Sequence, residues 1–478
     1  MIMQIPPSSD ASGGVYFRGI ADFMPTMTST GFSFLQLPEA ESLPPDSKLM
    51  TINPALELQW SHPVHTERRS TDSSAMVKLG RARQIQLSDD HLLMCFNPDT
   101  GSCDPTPITH ANGKLVPRIA RIPDFRASEA TSIVGFDGQP CPLTRPLGWW
   151  IGCVIGNGWV CSGTRVYLSG AIGSEVIRSW SSATQRLFSL TPSAPQDRTT
   201  ATGAWGTSRK ICIGNSKLAR WLEPMVGHRA AGKHVPEITF SANRDFQLGV
   251  IEGLFDTDGT LGASSSGRFN VAYTTKSPIL GRQIAWLLAH LGVESNFQLK
   301  TNNFERKFWG VYPSVVDFQR LSLSFADPAR NNVMTLMRQN PPSTTNRNND
   351  IVPLTKSECE IITERFSGTS ATRKKDRDNQ LFTLYTAIRS AAKSGHIGRY
   401  SLNQIVAWLG NRCPESVLQR LALNLHWDRV TAIEPAGPLN VLDIHFDDNV
   451  AVVGDYGIPA FCQPAASCRG CASGIQIT

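Results

Sequence analysis

The stretch QLGVIEGLFDTDGTLG, residues 247–262, carries the strongest signal in this chain of 478 residues. Its apolar residues fall at helical spacing and its small residues gather on one face, with Gly253 where a close helix crossing needs a residue that lacks a side chain. The run ends in two carboxylates and a glycine, Asp256, Asp258 and Gly259. On these residues alone, a buried helix closing at an acidic cap is the commoner explanation.

The surroundings change that weighting. About a hundred residues upstream lies PLGWWIGCVIGNGWV (146–160), a second apolar segment whose glycines, Gly148, Gly152, Gly156 and Gly158, repeat the pattern. It too ends in a polar residue and a glycine, but the polar residue is Asn157. Between the two segments sits GKHVPEITFSANRDFQ (232–247), and after them FNVAYTTKSPILGRQIAWLLAHLGVESNFQLK (269–300) reads as strand, Ser/Thr-rich turn, helix and strand.

Length and composition bound the rest. Two or more cores are expected, and 41% hydrophobic with 18% charged residues is ordinary for a globular protein. No apolar run is long enough to cross a bilayer, the first residues lack the features of a signal peptide, and the 11 cysteines are scattered, so a soluble protein of the cytoplasm or nucleus is expected. The net charge of +6 favours a polyanionic partner, a property shared with many proteins that never meet nucleic acid. Basic clusters at 65–70, 208–210, 300–307 and 371–377 sharpen it, although a solvated surface explains any one of them as well.

Along the chain the texture is β-like to about residue 135, turns α/β from about 146, passes through three amphipathic helices within 355–424, and returns to strand-like alternation in WDRVTAI and NVLDIHF. A β beginning and a β end around an α/β middle predict one domain inserted into another. The expected parts are an extension at 1–20, a first β part at 21–145, an α/β domain at 146–330, a linker and helical segment at 331–424, a second β part at 425–462 and a tail at 463–478.

Taken in order, the segments between 146 and 330 resemble the LAGLIDADG family of homing endonucleases, with residues 251–259 standing for the nine letters of the motif. The resemblance implies a mixed α+β fold: a pseudo-twofold αββαββ nuclease, monomeric, whose two motif helices pack together and deliver one acid each to a shared centre. It implies hydrolysis of phosphodiester bonds in double-stranded DNA with Mg²⁺, a cation that keeps several waters and takes phosphate oxygens as ligands. Asp258 is then the metal ligand, Lys233 stabilises the phosphate or polarises the attacking water, and Asp256 bonds locally. Asn157 departs from the family, since an amide lacks the charge a divalent cation prefers. Strand residues would read the major groove, and Arg268, Tyr273, Thr275 and Lys276 are the expected readers.

The flanking parts resemble the halves of an intein, a Hint domain that is mostly β. Residues 25–37, 48–64 and 83–93 resemble its N-terminal blocks, with His91 in the activating position, and 427–460 its C-terminal blocks, with Asp443. Ala21 stands where a nucleophile should begin the element, and Ala460-Phe461 stands where His-Asn should precede Cys462. Impaired splicing is therefore expected. Cys462, Cys468 and Cys471 are three thiols, one short of a zinc site. Two alternatives stay open: a splicing intein with an inactive nuclease, and a DNA-binding protein of LAGLIDADG descent that does not cut.

Overall fold

The computed structural model describes residues 23–28, 31–36, 46–53, 55–80, 83–122, 130–199, 207–264, 267–301, 307–340, 350–367, 369, 371, 379–423, 425–446, 451–453 and 458–461. The chain divides into two compact units, one drawn from both ends (1–29, 34–119 and 350–478) and one from the middle (30–33 and 120–349).

In the first unit, strands from the two ends pair within shared sheets. One sheet runs Leu115–Ile119, Leu425–Ala436, Ser74–Leu79, Gln84–Ser88. Another places Ala451–Val453 and Pro459–Phe461 between Lys48–Ile52 and Leu92–Phe96. Strand Leu439–His445 pairs with His65–Thr71 along its full length. Neither end can close a core alone, because Leu49, Val77 and Leu93 are buried in one cluster with Val430, Ile444 and Ile458.

The same unit holds a helical segment with its own core, built on Ile362, Phe366, Ile388, Leu402 and Val417. Among the described residues it has four helices where the sequence predicts three: Lys356–Arg365, Asn379–Ser394, Arg399–Leu409 and Glu415–Ala422. The third ends at Gly410, whose φ of 55° few residues other than glycine adopt readily. Thr355 opens the first of these helices with a capping box closed by Glu358.

The middle unit begins earlier than residue 146. Arg121 pairs with Asp317 at 2.8 Å, and the Ile122 N–H bonds to the Ala289 carbonyl at 3.0 Å. From there the order is helix, two strands, helix, two strands, and it occurs twice. Helix α1 (Arg145–Asn157) leads to strands 158–161 and 165–171, α2 (Glu175–Phe188), strands 196–199 and 207–214, and α3 (Ser216–Val226). Helix α4 (Arg244–Thr257) leads to strands 259–263 and 269–275, α5 (Pro278–His290), strands 295–301 and 307–313, and the short α6 (Val315–Phe318), followed by α7 (Pro328–Gln339). Each set of strands forms one four-stranded sheet in which the four lie in the same order: first, second, fourth, third. Among the described residues no helix is long and apolar enough to cross a membrane.

Candidate active site

The site is set by the crossing of α1 and α4. Both helices are capped by a polar side chain, Thr144 accepting from the Leu147 N–H and Asn243 from the Phe246 N–H. Their glycines interleave: a Cβ added to Gly148 would collide with the Phe246 carbonyl oxygen, one at Gly152 with that of Val250, and one at Gly253 with that of Trp149. Only residues without side chains allow backbones this close, and the flanking Trp150, Ile151, Val250 and Leu254 are fully buried around the contact.

Acidic residues along α4 fix what surrounds it. Glu252 is held by a bidentate contact with Arg145 and accepts the Ser324 N–H at 2.5 Å. Asp256 accepts from Trp149 Nε1 on α1 at 2.8 Å and from the Ala326 and Asp327 N–H groups at 2.8 and 3.2 Å. It therefore does more than bond locally: it ties the two helices to the segment that opens α7. Burial raises its pKa, and these donors with the nearby Arg330 pull it back down.

The two helices end side by side at a cavity of about 320 Å³, lined among others by Asn157, Lys233, Asp258, Thr275, Lys276 and Phe308. Three residues that the sequence placed far apart, Asn157, Lys233 and Asp258, are thereby brought together. Asp258 caps α4, its N–H bonded to the Leu254 carbonyl at 3.0 Å, and it is exposed to solvent. The protein packed around its carboxylate raises the pKa, while the charges of Lys233 and Arg330 lower it again. Lys233 donates to the Gly156 carbonyl at 2.6 Å, next to Asn157, and burial lowers its pKa to about 8 against the opposing pull of Asp258. The Lys233 carbonyl in turn accepts from Ser277 Oγ at 2.6 Å, which fixes the loop to the start of α5.

The expected readers separate. Arg268 and Lys276 are exposed. Tyr273 is not a surface residue: only 1% exposed, it packs on Phe255 with ring centroids 5.9 Å apart, and burial pushes its pKa well up. The reason is strand alternation. Tyr273 pairs with Val311 and shares its inward face, and Thr275, pairing with Trp309, follows the same parity. The outward face of that strand belongs instead to Asn270 and Thr274, the exposed residues of opposite parity to the buried Val271 and Tyr273.

Two further residues escaped the sequence reading. Trp149 and Arg330 reach the site from α1 and α7, Arg330 Nη1 donating to the Gly259 carbonyl at 2.8 Å. No local pattern marks either one.

His91 lies in the unit built from the chain ends and is 1% exposed. Its Nδ1 is in short contact with Ser88 Oγ and 3.6 Å from Asp90 Oδ1. It immediately precedes the strand whose Leu92 pairs with Phe461. Asp443 lies on the strand Leu439–His445, opposite Glu67. Ala21, Cys462, Cys468 and Cys471 fall outside the described residues, as does most of the basic cluster at 371–377.

Residues 245–324 match the LAGLIDADG-like domain family. A stretch of 90 residues is 36% identical to the ATP-dependent DNA helicase Hel308 of Thermococcus kodakarensis, covering 18% of this chain and 8% of the length of that helicase. The homing endonuclease I-DmoI, solved as mesophilic variants, is 15% identical with a TM-score of 0.30, over 40% of this chain and 98% of its own. The homing endonuclease I-WcaI, solved bound to its DNA recognition sequence, is 10% identical with a TM-score of 0.30, over 40% and 87%. The chain thus carries a LAGLIDADG-like domain at residues 245–324.

Proposed function

We propose that the middle unit is a site-specific endonuclease that hydrolyses phosphodiester bonds in double-stranded DNA, acting as a monomer in which the two helix–strand repeats are related by a pseudo-twofold axis. The observation that carries this reading is the convergence of Asp258 and Lys233 on one cavity at the ends of two glycine-packed helices. The family match of the segment containing both α4 and the second sheet supports it.

A divalent cation, Mg²⁺ by preference, fits the donors present. One solvent-open carboxylate, Asp258, with the Asn157 amide beside it, suits a cation that retains waters and completes its shell with substrate phosphates, whereas a closed protein cage would need more acids. Among the described residues no group of three or more His, Cys, Asp or Glu side chains is placed to form such a cage. When bound, the cation supplies charge neutralisation at the scissile phosphate. The Lys233 ammonium, held by the Gly156 carbonyl, adds a fixed positive charge facing the same phosphate. Asp256, Glu252 and Trp149 hold the helix ends in register and touch no substrate.

The unit built from the chain ends is proposed as a degenerate Hint scaffold. His91 is buried against Ser88 beside a strand that pairs with Pro459–Phe461, an arrangement that suits a splice centre, while Ala21 and Phe461 stand where a nucleophile and an Asn are expected at the junctions. A second reading, a DNA-binding protein or intein whose nuclease no longer cuts, is favoured by Asn157 alone. The purified chain, incubated with a library of duplex sites and Mg²⁺, decides between them. Cleavage lost in Asp258→Asn supports the nuclease; binding without cleavage at any divalent cation leaves only the second reading. Intact mass on expression tests splicing, since an excised fragment with a short ligated product would refute the degenerate scaffold.

A further inference from the structure

The two sheets of the middle unit present different chemistry on their outward faces. In the first sheet Val160, Val166, Leu168, Ile211 and Ile213 are buried, so the register Trp159–Tyr167–Cys212 faces outward. Trp159 and Tyr167 stack with ring centroids 4.8 Å apart and planes 6° from parallel, and Lys210 Nζ lies 5.8 Å from the Tyr167 centroid. Arg165 is exposed on the same face, two residues before Tyr167. In the second sheet Val271, Tyr273, Phe297 and Val311 are buried, which turns Asn270, Thr274, Gln298, Lys300 and Tyr312 outward. There Lys300 Nζ sits 4.4 Å from the Tyr312 centroid.

The charge of these strands fits one occupant. The eight strands contain Arg165, Arg198, Arg209, Lys210, Lys300 and Lys307 but a single acid, Asp197, and that acid is paired with Arg209 at 2.7 Å. Such a surface suits a polyanion, and the major groove of duplex DNA admits β-strands.

Resting on the reading of this unit as a duplex-DNA-binding nuclease, we infer that the two sheets recognise half-sites of different composition. Amide side chains present a donor and an acceptor that match the N6 and N7 edge of adenine, whereas Arg and Lys match O6 and N7 of guanine. Asn270 and Gln298 therefore read an A·T-rich half-site under the second sheet. Arg165 and Lys210 read guanines under the first, where the Trp159–Tyr167 stack supplies an apolar surface for thymine methyls.

The test is selection of bound sequences from a random duplex library by the full chain in divalent-free buffer, so that cleavage plays no part. The expected product is an asymmetric site with one A·T-rich half and one guanine-containing half. Gln298→Glu should turn a preference for adenine into one for cytosine at a single position of the first half, by about tenfold or more. Arg165→Gln should turn guanine into adenine at a single position of the other half. Both residues lie on an exposed or half-exposed sheet face, so retained unfolding midpoints will show that the variants fold. A palindromic site, or variants that leave every position unchanged, would overturn the inference while leaving DNA binding intact. No enriched sequence at all would overturn sequence reading by this unit, and the inference with it.

Discussion

The end of α1 and the end of α4 are built on one plan and differ in two side chains, Gly156 and Asn157 against Thr257 and Asp258. Each helix is capped by a polar side chain, lined by glycines that the other helix fills, and followed by a sheet with the same strand order. Each end is also met by a cation from beyond its own sheet, Lys233 at the Gly156 carbonyl in the last turn of α1 and Arg330 at the Gly259 carbonyl just past α4. Yet one helix ends in Asn157 and the other in Asp258. Packing cannot tell an amide from a carboxylate of the same shape, so the scaffold stays duplicated where the charge does not. What the comparison teaches is that shape and charge are held by separate residues here.

The largest expected effect lies on the acidic side. Asp258→Asn makes the two helix ends alike in charge and should lower DNA cleavage by about a thousandfold, ~4 kcal/mol in barrier, with affinity for the same site preserved. Rates from single-turnover cleavage beside binding isotherms check this, and undiminished cutting would remove Asp258 from the site. Next comes the shared scaffold. Gly253→Val forces a side chain onto the Trp149 carbonyl and should cost about 3 kcal/mol in urea unfolding. Gly262→Ala, where an added Cβ meets nothing within 4 Å, should change stability by about 0.5 kcal/mol or less. Equal midpoints for the two would mean that α1 and α4 do not cross this closely. Restoring symmetry is the third test. With one acid absent, one strand should be cut faster than the other, and Asn157→Asp should raise the slower strand about tenfold without altering affinity. Equal strand rates that the substitution leaves unchanged would show that Asn157 holds no catalytic position.

The parts of this comparison that were legible in the sequence are those written as local patterns. Glycines at helical spacing, followed by a polar residue and glycine, located both helices, and Asn157, Lys233 and Asp258 do meet at one cavity. The alternation of β ends around an α/β middle also showed in composition. What escaped was set by tertiary contact. Tyr273 reads as a polar aromatic in a surface strand, and only its pairing with Val311 reveals that it points inward against Phe255. Arg330 lies more than seventy residues from Asp258 on a helix read as a run into a linker, and the bond that brings it to Gly259 leaves no trace in sequence. The early start of the middle unit rests on long-range contacts such as the Arg121–Asp317 ion pair and the Ile122 N–H to Ala289 carbonyl bond, which spacing does not encode.

The smallest effect is a matter of protons, and it separates the role of Lys233 from that of a structural lysine. Its pKa is lowered to about 8 because burial disfavours the ammonium more than Asp258 favours it. If the ammonium stabilises the phosphate, cleavage falls as pH rises through 8, and between pH 7 and 8.5 the rate should drop about fourfold. Folding responds in the opposite sense. The unfolded lysine keeps its proton up to about 10.5 while the folded one has lost it, so stability rises with pH between about 8 and 10.5. Activity and stability should therefore move apart over the same window, which general alkaline unfolding cannot imitate. Lys233→Arg keeps the charge at every accessible pH and should flatten the alkaline limb of the rate. A limb unchanged in that variant would assign the titration to another group and leave Lys233 as a brace for the end of α1.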